Sequence, residues 1–534
     1  MKSPVRLAVA CALGFLGVGC AGAQPALPPD TATARRTLAL FEVELSVIEQ
    51  LLAAGMRHQA GNYAIRHVDV VRVREGDVRA DMIVRVAGRA IVQVSPDSGH
   101  PLPPGYREID GRGRYLIAGL VDMHVHQLTS AAQHILHVGH GVTTVRDMAG
   151  FPWLLEWRER SARDAWLAPT MHVASPILAS VPMGRFAQVV TTEGAAREAV
   201  RTFRDNGYDF IKVHNVLTRP LFEAVTSEAR HLGIPVVGHV PHRISVADAV
   251  RAGMSTIEHL KGYVDDRTLR IAEDDWLSPT RRGTVWNTPT LYARRLFLTP
   301  DEARAWAGTE EARYVPAIER ARWVREAAMP PPHALALHDQ HLIVLRRLKP
   351  VTSRFLAGTD AGGGYPFMVS GAGLHTELQL LHDAGLSTLE ALRAATLYPA
   401  QALGEEHRIG DVAPGRRADL LLLDANPLAS LDALQGRAGV GLRGRWLDRA
   451  ALTSLLDQLA AANAREPQVG SDGALPDSAW MRETARRIRS VEEAGYVFPA
   501  HHIDDFNRAL SAFGLPGVVA RTAQALPVPD PWTR

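Results

Sequence analysis

A chain of 534 residues, 46% hydrophobic and 22% charged, has a folded protein's composition and the length for one large domain plus a smaller one. Its 59 basic and 57 acidic residues nearly balance, which removes the electrostatic case for nucleic acid or an anionic membrane as partner. Cys11 and Cys20 both fall near the start, so a processed chain would carry no disulfide, no thiolate ligand and no thiol redox chemistry.

Lys2 and Arg6 precede an apolar run from Leu7 to Val18, and Ala21-Gly22-Ala23 follows. This is the pattern of a secretory signal over residues 1–23, too short for a stable membrane span. It predicts a secreted or periplasmic protein. Cys20, after Gly17-Val18-Gly19, fits a lipid-anchor site only loosely, because leucine is missing three residues before it. Residues 24–62 predict a disordered Pro, Ala and Thr-rich lead-in, then a helix over Leu38 to Met56. The runs Ala64 to Val71, Ala80 to Val86 and Ala90 to Val94 alternate with period two and predict a small β domain over residues 63–115.

From Gly119 onward, strand patterns alternate with helical ones. Strands are expected at Ile117–His126, Val142–Asp147, Met171–Ala174, Phe210–His214, Ile234–Val240, Ser255–Leu260, Thr284–Leu291 and Arg354–Asp360. Helical stretches such as Thr192–Asn206 and Ser245–Ala252 lie between them. The series fits a (β/α)8 TIM barrel over residues 116–404, with a charged helical insert at about 300–348 across its mouth. Residues 405–450 return to β patterning. They are expected to rejoin 63–115 in a β-sandwich built from N- and C-terminal segments. Residues 451–534 form a helical extension of unassigned role.

Ile117 to His126 is a buried-looking strand that ends in two histidines. Side chains two apart share a face, so His124 and His126 project together, as two ligands of a first-row metal would. Active sites of (β/α)8 enzymes sit at the C-terminal strand ends. Lys212, His239, His259 and Asp360 stand at such ends too, each closing an apolar run. A single one of these is explained by a backbone hydrogen bond or a helix cap. Six converging on one rim are not. The lysines are Lys2, Lys212, Lys261 and Lys349, so a strand lysine is unusual in a chain that otherwise uses arginine.

Gly119 to His126 and Ala357-Gly358-Thr359-Asp360 resemble signatures of the amidohydrolase superfamily. Ile211-Lys212-Val213, Gly238-His239-Val240 and Ile257-Glu258-His259-Leu260 resemble its imidazolonepropionase-like and Xaa-Pro dipeptidase (prolidase) branch. The resemblance runs from about Tyr63 to Leu420. It implies that His124, His126 and Asp360 hold one divalent metal and that His239 and His259 hold a second. Zinc suits these ligands. It also implies that Lys212, as N6-carboxylysine, bridges the two. Burial lowers a lysine's pKa and frees the amine for CO2, chemistry closed to arginine.

The implied reaction is hydrolysis of an amide, in a dipeptide or N-acyl amino acid, by a metal-bridged hydroxide with Asp360 as base. His242 and Arg243, just after a strand, could reach a substrate carboxylate. His214, Tyr263 and Tyr292 also lie past strand ends and are further substrate-contact candidates. A homo-oligomer acting on a small molecule is expected. Other readings are a cyclic amide, lactone or carbamate hydrolase, a mononuclear deaminase on the same barrel, or a non-catalytic scaffold. Lys212 counts against the deaminase, and the complete ligand set counts against the scaffold.

Overall fold

In the computed structural model, the described residues are 51–56, 61–127, 131–150, 152–181, 187–272, 280, 285–362 and 365–464. The signal segment with Cys20, most of the lead-in and its helix, and the extension beyond Ala464 lie outside them. No helix among the described residues is long and apolar enough to cross a membrane.

The first strands are β1 (Tyr63–Arg72), β2 (Asp77–Ala87), β3 (Ala90–Pro96), β4 (Arg107–Asp110) and β5 (Tyr115–Ala118). The parallel series follows: β6 (Leu120–His126), β7 (Val142–Asp147), β8 (Thr170–Val173), β9 (Ile177–Ala179), β10 (Ala187–Val189), β11 (Ile211–Val213), β12 (Val236–Gly238), β13 (Met254–Glu258), β14 (Trp286–Thr288) and β15 (Ala361–Gly362). The chain closes with β16 (Leu420–Leu423), β17 (Arg437–Leu442) and β18 (Arg445–Asp448).

Strands β1–β5 and β16–β18 make one mixed 8-stranded sheet, ordered β18-β17-β16-β5-β1-β2-β3, with β4 beside β1. The sequence segments expected to come together therefore do so, as one sheet where a sandwich was expected. Period-two geometry explains its unbroken leucines. Leu420 and Leu422 face a core shared with Tyr63, Val84 and Trp446, while Leu421 and Leu423 face the core of the parallel strands.

The parallel strands fall into the runs β15-β6-β7-β8 and β10-β9-β11-β12-β13-β14. Single parallel bridges join the runs on both sides: Ala174 to Phe210, and Asn287 to Phe355. Met123 N also donates to Ala357 O at 2.9 Å, and Asp360 N to His124 O at 2.7 Å. Connecting helices start where expected. Thr192 caps Glu193–Asp205 by accepting from Ala195 N, and Ser245 caps Val246–Ala252 by accepting from Asp248 N.

Four expectations need correcting. The strand predicted from Ile117 breaks at Gly119, and β5 joins the mixed sheet, so the domain boundary falls after Ala118. The predicted seventh strand is only β14, because the chain turns into a 3-10 helix at Leu291–Phe297. The stretch 354–360 is held by one isolated bridge and scattered backbone bonds before β15 instead of a continuous ladder. Strands β9 and β10, sitting between the third and fourth predicted strands, were unforeseen.

The insert is helical, as expected, with Pro300–Ala307, Ala317–Glu326 and Pro332–Leu348 as its main helices. Trp306 and Trp323 pack on each other and on Phe367, 5.1 to 5.9 Å between ring centroids. His333 Nε2 contacts Asp266 O at 2.5 Å, which ties the insert to the loop after β13.

Candidate metal centre

Both histidines of β6 end their strand on one face, and Asp360 sits opposite them. His126 Nε2 lies 2.9 Å and His124 Nε2 3.3 Å from Asp360 Oδ1. His259 Nδ1 lies 3.9 Å from Asp360 Oδ2. Ligand atoms of His124, His259 and Asp360 fall within 4.8 Å of one another, the only such trio among the described residues. The imidazoles form a chain, with ring centroids 5.2 Å apart for His126–His124, 4.6 Å for His124–His259, 4.9 Å for His259–His239 and 4.3 Å for His239–His214. The four predicted histidines and Asp360 are thus brought together, and His214 extends the row.

Local backbone geometry makes this possible. Gly358 lets the 354–360 stretch press against β6. A Cβ there would stand 2.8 Å from His124 Cβ and 2.6 Å from Thr288 Cγ2. Asp122 clips the two together, accepting from His124 N (3.2 Å), Thr359 N (3.0 Å) and Thr359 Oγ1 (2.8 Å). His259 and Asp360 both have positive φ, 56° and 60°, sparsely populated for residues with a Cβ. That bend breaks strand alternation, so Glu258 and His259 both reach the site although they are neighbours.

Hydrogen bonds set the tautomers. Glu258, an acceptor when ionised, takes His124 Nδ1–H at 2.8 Å and leaves Nε2 with its lone pair toward Asp360. Thr290 Oγ1 gives its proton to Pro289 O at 2.7 Å, so it accepts from His259 Nδ1 at 2.6 Å and frees His259 Nε2. Burial pushes His239 and His259 well below the usual imidazole range, so both are neutral. Burial alone would raise the Asp360 carboxyl; positive charge at the facing imidazoles of His259 and His124, or a cation between them and the carboxylate, brings it well below the usual carboxylate range. These residues fit a divalent metal. They offer imidazoles around one buried carboxylate, and among the described residues His239 Nδ1 is buried without a hydrogen-bond partner.

Lys212 is buried on β11, paired with Val237 of β12. Burial brings its amine down to about 8, although Glu258 and Asp360 both pull the other way. Gly238 gives it room, since a Cβ there would stand 3.1 Å from Lys212 Cδ.

The substrate-contact candidates divide. His242 and Arg243 are exposed after β12. Tyr263 and Tyr292 are fully buried, which corrects their expected place on the rim. Tyr263 Oη donates to Asn287 Oδ1 at 2.8 Å, and Tyr292 Oη accepts from Val369 N at 3.1 Å, so both serve packing. Sequence reasoning missed Glu258 and Arg146, although Glu258 stands in the quoted Ile257-Glu258-His259 stretch and Arg146 near the end of β7.

Residues 115–446 match the Amidohydrolase family. An adenine deaminase and an imidazolonepropionase of Rubrobacter xylanophilus are each 26% identical over 395 residues. The first match covers 71% of this chain and 56% of that protein, the second 66% and 86%. The chain thus spans little more than half the length of the adenine deaminase. Among solved structures, a bottromycin amidohydrolase is 25% identical with a TM-score of 0.65, covering 82% of this chain and 99% of its own. A Xaa-Pro dipeptidase is 18% identical with a TM-score of 0.58, covering 72% and 100%, and this likeness bears on fold alone.

Proposed function

The chain belongs to the Amidohydrolase family, enzymes of TIM-barrel fold that act on C–N bonds with divalent metals, and on that footing we propose a binuclear amide hydrolase. The observation that carries this reading is Asp360 within 3.9 Å of three imidazoles, with Lys212 buried in the field of the same carboxylate. The paired bridges at Ala174–Phe210 and Asn287–Phe355 support a closed (β/α)8 arrangement beneath it.

His124, His126 and Asp360 would hold one ion, His239 and His259 the other, and Lys212 as carbamate both. Zinc is the first choice. Such ions supply Lewis acidity toward a carbonyl and lower the pKa of water. Asp360 is held ionised and buried, so it can accept a proton from the attacking water and return it to the leaving nitrogen. His242 and Arg243, exposed in the segment after β12, would meet a carboxylate on the substrate. A dipeptide or N-acyl amino acid is the substrate class that combines an amide with such a carboxylate.

A second reading, deamination of an aminopurine, is favoured by the likeness to adenine deaminase. One assay separates the two. Zinc-loaded protein is offered dipeptides, N-acyl amino acids, lactones and adenine, with metal content measured on the same sample. Turnover of the amides with about two metals per chain supports the first reading. Turnover of adenine alone replaces it.

A further inference from the structure

Beneath the ligands lies a charge pair that the proposed reaction does not use. Arg146 on β7 and Glu258 on β13 are both fully buried. Arg146 Nη2 donates to Glu258 Oε1 at 2.8 Å, Nε to Met123 O at 2.7 Å and Nη1 to Thr256 Oγ1 at 3.1 Å. Thr256 Oγ1 donates to Glu258 as well. The other Glu258 oxygen accepts from His124 Nδ1. One guanidinium therefore fastens β6 to β13. One carboxylate touches a ligand of the first proposed subsite and sits one peptide bond from a ligand of the second.

We infer that Glu258, held by Arg146, is a positioning residue that fixes the ring plane and tautomer of His124 and thereby sets the affinity for the first divalent metal. This rests on reading His124 as a metal ligand. A carboxylate that accepts the Nδ1 proton forces the lone pair onto Nε2, the nitrogen facing Asp360. Its negative charge also makes the imidazole a stronger donor. Arg146 holds the second oxygen, so the carboxylate cannot rotate away, and it supplies the charge that lets Glu258 stay ionised in the interior. Packing alone would not need this arrangement, because an apolar pair of similar volume would fill the space without a charge.

The test is a Co2+ titration of metal-free full-length protein in competition with a chromophoric chelator, with the visible spectrum of bound Co2+ recorded. Glu258→Gln keeps an acceptor but loses the charge. The tighter site should weaken about 10- to 100-fold and its visible bands should shift. Glu258→Gln strands the Arg146 charge, so Arg146→Gln/Glu258→Gln is measured beside it as the charge-neutral version. The double variant should regain the melting temperature of the metal-free wild type without regaining its Co2+ affinity. A double variant that folds and binds Co2+ with wild-type affinity and spectrum overturns the inference. So does a metal-loaded crystal structure in which His124 meets the ion through Nδ1, whatever the variants do. A wild-type protein that takes up no Co2+ sinks the metal reading and this one together. Wild-type Co2+ binding without turnover of any amide sinks only the proposed substrate.

Discussion

His134, His137 and His140 lie as deep in the protein as His124 and His126, yet their surroundings differ in kind. The first three ride on one helix, Ala132–Gly139, and its C-cap. His134 packs on Trp157 and Trp166 with centroids 5.3 and 6.1 Å away, and among the described residues neither ring nitrogen of His134 or His137 has a hydrogen-bond partner. His140 turns its Nδ1 to Leu136 O at 2.8 Å. Around His124 and His126, in contrast, stand Asp360 and Glu258. Burial pushes His134 and His137 to about 3, so both rings are neutral. What distinguishes the metal candidate is a buried carboxylate that meets both Nε2 atoms, 3.3 Å from His124 and 2.9 Å from His126. Glu377 completes the contrast as a buried carboxyl bonded to backbone N–H groups. Its Oε2 accepts from Tyr292 N at 2.7 Å, and burial lifts it to about 8, so it stays protonated at neutral pH.

The sharpest way to break the comparison is at its carboxylate. Asp360→Asn should lower kcat by at least about 10³-fold, since it removes both a ligand and the proposed base. Steady-state kinetics on the best amide substrate check this, and a near-normal rate would erase the distinction between the two histidine groups. Next comes Lys212→Arg, which keeps a cation but cannot form a carbamate. It should lose about one metal per chain and at least about 10²-fold in kcat, read by metal analysis and rate together.

At the helix histidines the effect moves from activity to stability. His137 has a folded pKa of about 3, below its unfolded value of 6.5. The unfolded chain takes up the proton first, so this contribution is full above pH 6.5 and is lost as pH falls toward 3. Urea unfolding of His137→Leu between about pH 6 and 4 should show a slope shallower than wild type by about 1.4 kcal/mol per pH unit, with metal content unchanged. A changed metal content would merge the two groups.

Glu377→Gln should produce the smallest change. Its folded pKa is raised, so its contribution is full below the unfolded value of 4.5 and is lost as pH rises toward 8. The amide keeps an acceptor for Tyr292 N. Stability near pH 5 should stay within about 0.5 kcal/mol of wild type, and its fall toward pH 8 should flatten. Urea titrations at both pH values test it.

How much of this was legible in the sequence follows from where alternation holds. His124 and His126 stand two apart on a regular strand, so period two exposed them. Lys212, His239 and Asp360 each closed an apolar run. Glu258 was invisible as a partner because its neighbour His259 was assigned to the site, and alternation sends neighbours to opposite faces. Only the positive φ of 56° at His259 brings both inward. Tyr263 and Tyr292 failed for the opposite reason. Both follow strand ends, where rim residues belong, but the chain folds back and buries them against Asn287 and Val369. The 354–360 strand was placed correctly and its irregularity missed, since a stretch held by single bonds and a tight glycine contact leaves no periodic trace.

Anomalous diffraction at the zinc edge, on crystals of zinc-loaded protein, would locate any metal among these side chains. Two peaks per chain are expected, one among His124, His126 and Asp360 and one between His239 and His259, with density continuous from Lys212 Nζ to both. A map with no peak there, or with Lys212 unmodified and turned away from a single ion, would contradict the binuclear reading.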